Sequence, residues 1–149
     1  MVDIPVIRRI LNSLNDSLEH LKSKQNVSPE QFKRDMDVQA IVERRLETSI
    51  QACIDIGNHI ISSENMGSPS DYGEIFSILA EKGVLDDNQA EKLVKMAGFR
   101  NVLIHEYRDI LIEKVYDIFQ NRLSDFYEFA QAILDYLDKI SGRKNKSGY

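Results

Sequence analysis

The sequence predicts an all-α protein, an antiparallel bundle of about five helices, two of them long. Three observations carry that prediction. Apolar residues recur at three- and four-residue steps through most of the chain. With 7 Gly and 3 Pro in 149 residues, there are few places where a helix must stop. The stops that do exist are short polar clusters, and short connections favour antiparallel neighbours.

In the first helix Ile4, Ile7, Leu11, Leu14, Leu18 and Leu21 fall on one stripe. The stretch NVSPEQ ends it and opens the second. Ser28 is placed as N-cap, Pro29 in the first turn, and Gln31 completes a capping box. From there to about Ser63 the one strong breaker is Gly57. Val38, Ile41, Val42, Leu46, Ile50, Cys53, Ile54 and Ile60 keep a helical period, so a single long helix is expected, with others lying along it. ENMGSPSDYG is a loop. Asp71 and Glu74 suit the start of a short third helix that Gly83 closes. Asp86 or Asp87 caps a fourth, which runs through Leu93, Val94 and Ala97 into GFRNVLIHEY, residues 98–107. YRDI ends it, and Asp109 can cap a long fifth helix. That helix carries two apolar flanks, one through Val115, Phe119, Phe126 and Ile133, the other through Ile118, Leu123, Phe129 and Leu134. It should therefore be central to the bundle. The domain is expected to occupy residues 1–140, and SGRKNKSGY, residues 141–149, reads as a flexible basic tail.

Composition narrows the function classes. Hydrophobic residues at 42% and charged residues at 29% suit a soluble globular chain. No stretch approaches the roughly 20 apolar residues of a membrane span. The opening MVDIPVIRRI has no signal-peptide pattern, so a cytoplasmic location is expected. A net charge of −5 argues against broad non-specific nucleic-acid binding, which depends on Lys and Arg. The lone Cys53 rules out an internal disulfide framework and a multi-cysteine zinc site, and its apolar surroundings suit a small core residue. The pairs Asp55–His59 and Asp16–His20 share helical spacing, but two ligands without a third do not make a metal site. Glu43, Arg44 and Arg45 read as an ion-pair face, with Arg44 or Arg45 able to line an RNA groove. There is no glycine-rich phosphate loop, and no carboxylate pair suited to nucleotidyl transfer.

GFRNVLIHEY concentrates the chemistry. On a helix at about 100° per residue, with Arg100 at zero, Tyr107 lies about 20° to one side, Asn101 near 100° and His105 near 140°. Arg100 and Tyr107 share one stripe, and Asn101 and His105 the next. These residue types suit RNA phosphodiester cleavage. An imidazole, titrating at about pH 6.5 when unperturbed, can take the proton of a ribose 2′-hydroxyl or give one to the departing 5′-oxygen. Arg100 cannot act as a base, but its planar fork matches a phosphate and its transition-state charge. Asn101 can orient the imidazole or donate to a phosphate oxygen. No metal is needed, and internal attack leaves a 2′,3′-cyclic phosphate. Spacing alone favours a structural reading. Arg100 would then pair with an acidic neighbour, His105 would sit at the helix C-terminus where its charge is favourable, and Tyr107 would be half-buried.

The same stretch resembles the signature of the HepT family of toxins, within the HEPN superfamily of helical ribonucleases. The HepT form is Arg, four residues, His, any residue, Tyr. Arg100, His105 and Tyr107 fit it without departure. MAGFRN and ERRLETSIQACIDIGNHIIS also resemble the family, as does the length, over residues 1 to about 140. The resemblance implies a HEPN-type bundle forming a two-fold homodimer, with two copies of the motif in a shared cleft. It implies a metal-independent endoribonuclease, the toxin of a type VII toxin–antitoxin pair, acting on mRNA or tRNA with no cofactor. Arg100 and His105 would be the catalytic pair and Asn101 their polar helper. The partner would be an MntA-like nucleotidyltransferase antitoxin that transfers AMP to Tyr107. The alternative is a non-catalytic HEPN-like bundle that binds nucleotides or serves a nucleotidyltransferase as scaffold.

Overall fold

The structure, a computed structural model, describes the backbone of residues 1–105 and 108–147 and the side chains of residues 1–104 and 111–142. Among these it contains seven α-helices and no strand: α1 (Ile4–Ser23), α2 (Pro29–Arg34), α3 (Met36–Ser63), α4 (Tyr72–Glu81), α5 (Asp87–His105), α6 (Arg108–Asn121) and α7 (Leu123–Ser147). The all-α bundle is the expected one, with α3 and α7 the two longest helices at 28 and 25 residues. The count exceeds five because both long helices anticipated from the sequence are interrupted.

The first interruption is Asp35, whose extended backbone (φ −101°, ψ 92°) closes α2 and opens α3. Its carboxylate accepts the Val38 N–H at 3.1 Å and so caps α3. The end of α2 is sealed from the other side. Gln39, fully buried, donates its Nε2 to the carbonyls of Phe32 at 2.7 Å and Lys33 at 3.0 Å. The second interruption, Arg122, leaves that residue's own backbone groups bonded, while the Phe119 carbonyl one turn earlier accepts from Gln25 Nε2. The Arg122 N–H reaches Ile118 O at 2.9 Å, and its carbonyl accepts from Asp125 N–H at 3.1 Å. Nothing in the residue types there forces a break.

The remaining boundaries follow ordinary cap chemistry. Ser28 and Gln31 form the expected reciprocal box. Asp86, rather than Asp87, caps α5 and exchanges hydrogen bonds with Gln89 at 2.7 and 3.0 Å. Two helices stop on positive-φ residues, α3 near Asn65 (φ 51°) and α4 at Gly83 (φ 78°). In each, the next N–H reaches back five residues, Met66 to Ile61 O and Val84 to Leu79 O, both 2.9 Å. α6 is described from Arg108, directly after residues 106–107, and the Asp109 side chain expected to cap it lies outside the described residues. The backbone of α7 runs to Ser147, and the side chains of Arg143, Lys144 and Lys146 of the expected basic tail also lie outside them.

The core is one continuous cluster drawing on every helix. Phe32 packs against Tyr116 and Phe119, with ring centroids 5.2 and 5.8 Å apart, which ties α2 to α6. Phe76 meets Phe129 edge-on at 5.9 Å, tying α4 to α7. The α1–α2 connection is pinned to α6 by polar bonds: Gln25 Nε2 donates to Phe119 O, Gln120 Nε2 to Gln25 O, and Tyr116 OH to Val27 O. Cys53 is fully buried and burial pushes its thiol pKa up, so it is the inert core residue expected. Ile41, by contrast, which the periodicity places on the apolar stripe of the long helix, lies exposed.

Candidate functional site

The site is built on the last two turns of α5. Leu93 and Met96 are buried on the core-facing stripe of that helix, and Arg100 takes the next place on the stripe. A guanidinium therefore stands where the pattern would otherwise put an apolar side chain. Arg100 is half-buried, and its Nε is fully buried with no hydrogen-bond partner among the described residues. Its Cζ lies 5.3 Å from the ring centroid of Tyr72, the first residue of α4. No carboxylate forms an ion pair with Arg100 among the described residues, so the structural reading of Arg100 as a surface ion-pair residue finds no partner there.

Asn101 is exposed, as its place on the neighbouring stripe requires. His105 is the last residue of α5, so its backbone continues the helix that carries Arg100 and Asn101. The His105 side chain and the whole of Tyr107 lie outside the described residues. The structure thus places Arg100 and Asn101 on adjacent faces of one helix. Exposed apolar side chains flank the site: Ile104 at this end of α5 is 55% exposed, and Tyr72, against Arg100, 42%.

Tyr72 is the residue that sequence reasoning missed. It lies 28 positions before Arg100 in what read as a loop. The available signal was the cap itself, since Asp71 as N-cap fixes Tyr72 at the first helical position. The other polar candidates are accounted for elsewhere. His59 does not pair with Asp55: its Nε2 accepts the Asp3 N–H at 3.1 Å, at the start of α1, while Asp55 accepts from Gln51 at 2.8 Å. Among the described residues no three His, Cys, Asp or Glu side chains come together to hold a metal ion. Arg44 pairs with Glu47 at 3.8 Å and lines a groove between α1 and α3 that also holds Asp55, a mixed-charge surface rather than a basic one. Among the described residues no helix is long and apolar enough to cross a membrane.

Comparison with known proteins bears on this geometry. A family model described as Ribonuclease HepT-like matches residues 14–133, a span that contains Arg100, His105 and Tyr107. The mRNA nuclease HepT of Shewanella oneidensis is 33% identical over 103 residues, covering 69% of this chain and 77% of that protein. The tRNA nuclease HepT of Aphanizomenon flos-aquae is 31% identical over 132 residues, covering 89% and 90%. Among solved structures, a tri-AMPylated Shewanella oneidensis HEPN toxin in complex with MNT antitoxin is similar with a TM-score of 0.80 at 29% identity, over 91% of this chain and 99% of that one.

Proposed function

The chain belongs to the HepT-like ribonuclease family, and from that premise we propose that it is the toxin of a type VII toxin–antitoxin pair, cutting cellular mRNA or tRNA from the cytoplasm without a metal. Arg100 and His105 carry the reaction. His105 takes the proton of a ribose 2′-hydroxyl, the 2′-oxygen attacks the adjacent phosphorus, and the P–O5′ bond breaks as the 5′-oxygen is protonated. The products are a 2′,3′-cyclic phosphate and a free 5′-hydroxyl. Arg100 stabilises the charge of the pentavalent transition state, and Asn101 orients the imidazole or a phosphate oxygen. The single observation supporting this reading is the setting of Arg100. It is half-buried against a ring, with no ion-pair partner among the described residues, so its charge is available to a phosphate.

The partner in this reading is an MntA-like nucleotidyltransferase that transfers AMP to Tyr107. An AMP phosphate on Tyr107, seven positions after Arg100, would compete with substrate phosphate for the guanidinium. One experiment tests the reading. Chain purified without antitoxin should cleave RNA in the presence of a chelator and leave cyclic-phosphate ends. His105→Ala and Arg100→Ala should each lose about 100-fold or more. Chain co-expressed with the antitoxin should gain AMP by intact mass and be silent, whereas Tyr107→Phe should gain none and stay active. Full activity in His105→Ala sinks the catalytic assignment.

A further inference from the structure

We propose that Tyr72 is a positioning residue for Arg100, its ring holding the guanidinium in place for the substrate phosphate. The proposal rests on the catalytic reading of Arg100 above and adds the element that aims it. An arginine side chain has several rotatable bonds, and stabilising a transition state requires one geometry. The Arg100 Nε is buried without a hydrogen-bond partner among the described residues, so no described hydrogen bond fixes that atom. What Arg100 meets is the Tyr72 ring, 5.3 Å from Cζ to centroid. A ring face attracts a guanidinium without neutralising it. A carboxylate in the same place would fix Arg100 equally well but would compete with the phosphate for its charge.

The ring is itself held by local chemistry. Asp71 caps α4 by accepting the Glu74 N–H at 2.8 Å. Glu74 closes the turn by accepting the Ser70 N–H at 3.1 Å and the Ser70 hydroxyl. Immediately after Tyr72, Gly73 brings this turn against α5: a Cβ there would lie 3.4 Å from Val94 Cγ1. Tyr72 is therefore fixed at its backbone despite its exposed side chain. Its hydroxyl has no hydrogen-bond partner among the described residues, so the face of the ring is the part in use. A phenylalanine should serve as well.

The test combines kinetics with arginine Nε–H spectra of the full chain, the Arg100 signal being assigned by its absence in Arg100→Lys. Tyr72→Phe should leave the signal in place and cleavage within about twofold of the parent. Tyr72→Leu should shift the signal and lower kcat on the order of tenfold, with KM nearly unchanged. In an Arg100→Lys background, Tyr72→Leu should add no further loss. If Tyr72→Leu does not fold, Tyr72→Met takes its place. An unmoved signal, unchanged kcat, or an equal loss in the Arg100→Lys background each overturns the proposal; the last would mean that Tyr72 acts on RNA directly. If Arg100→Ala cleaves like the parent, the catalytic reading and this proposal fall together. That result differs from the failure of Tyr72 alone, in which Arg100→Ala is inactive and Tyr72→Leu is not.

Discussion

At the scale of single residues, charges are placed where burial and pairing compete, and Asp125 shows which wins. It is 5% exposed in the first turn of α7, with Lys92 of α5 at 4.0 Å. Burial, the largest influence, raises its carboxyl pKa, and neighbouring Glu128 adds to this; Lys92 and Arg122 pull the other way without reversing it. A carboxyl whose pKa is raised by folding stabilises the fold below its unfolded pKa. That contribution is lost as pH rises through the folded value. At neutral pH the ionised Asp125 is therefore a net cost. Lys92 keeps a closer partner in Glu128 at 3.1 Å, so Asp125→Asn leaves that contact intact. The difference in Tm, variant minus parent, should rise between about pH 4, the ordinary aspartate value, and pH 7. A fall over that range, measured by thermal melts, would show that attraction to Lys92 outweighs burial. The same scale explains what was legible at the site. Arg100, Asn101, His105 and Tyr107 stand within eight positions, so their spacing and chemistry can be read directly. The Tyr72 contact cannot, because it joins two helices through a ring face that leaves no short-range pattern.

At the scale of elements, Gly57 shows how one missing side chain sets a helix crossing. It lies in α3, where glycine costs about 1 kcal/mol relative to alanine in a helix interior. What it permits is the approach of α4: a Cβ at Gly57 would lie 2.4 Å from Ile75 Cγ2, on a β-branched and fully buried side chain. Overpacking of that kind costs about 1–3 kcal/mol, which outweighs the gain in propensity. Gly57→Ala should lower the unfolding free energy by about 1 kcal/mol in a denaturant titration. Adding Ile75→Ala should cost less than the sum of the two single changes, since both act on one space. A stabilised Gly57→Ala variant would contradict this packing. Read as sequence, Gly57 was merely the weak point of a long helix. Periodicity showed where helices lie because it reports which face is buried. It did not show the interruptions, because the apolar stripe continues across both. At Asp35 a capping signal was present, but its seal, Gln39, works by a tertiary turn of side chain onto backbone. Arg122 carries no such signal.

At the scale of the whole molecule, the proposed reaction requires one phosphate to meet both Arg100 and His105. Arg100 lies on the core-facing stripe of α5 and Asn101 on an exposed one, and His105 falls on the Asn101 side, about 140° from Arg100 on an ideal helix. One face of one helix does not bring such positions together. A two-fold pair of chains can, if the arginine of one copy works with the histidine of the other across a shared cleft. The surface beside Arg100 is suited to such a contact: Ile104, one turn on, is an exposed apolar side chain on a chain whose net charge is −5. Light scattering should then give twice the 17.2 kDa chain mass, and Ile104→Glu should shift it towards the monomer with loss of cleavage. The decisive measurement is complementation. Arg100→Ala and His105→Ala chains, each inactive alone, are co-expressed and purified together. With random pairing half the dimers are mixed, and each mixed dimer has one site with both groups intact, so activity should recover to about a quarter of the parent level. If arginine and histidine act within one chain, no mixed dimer has a complete site, and the co-expressed chains stay silent.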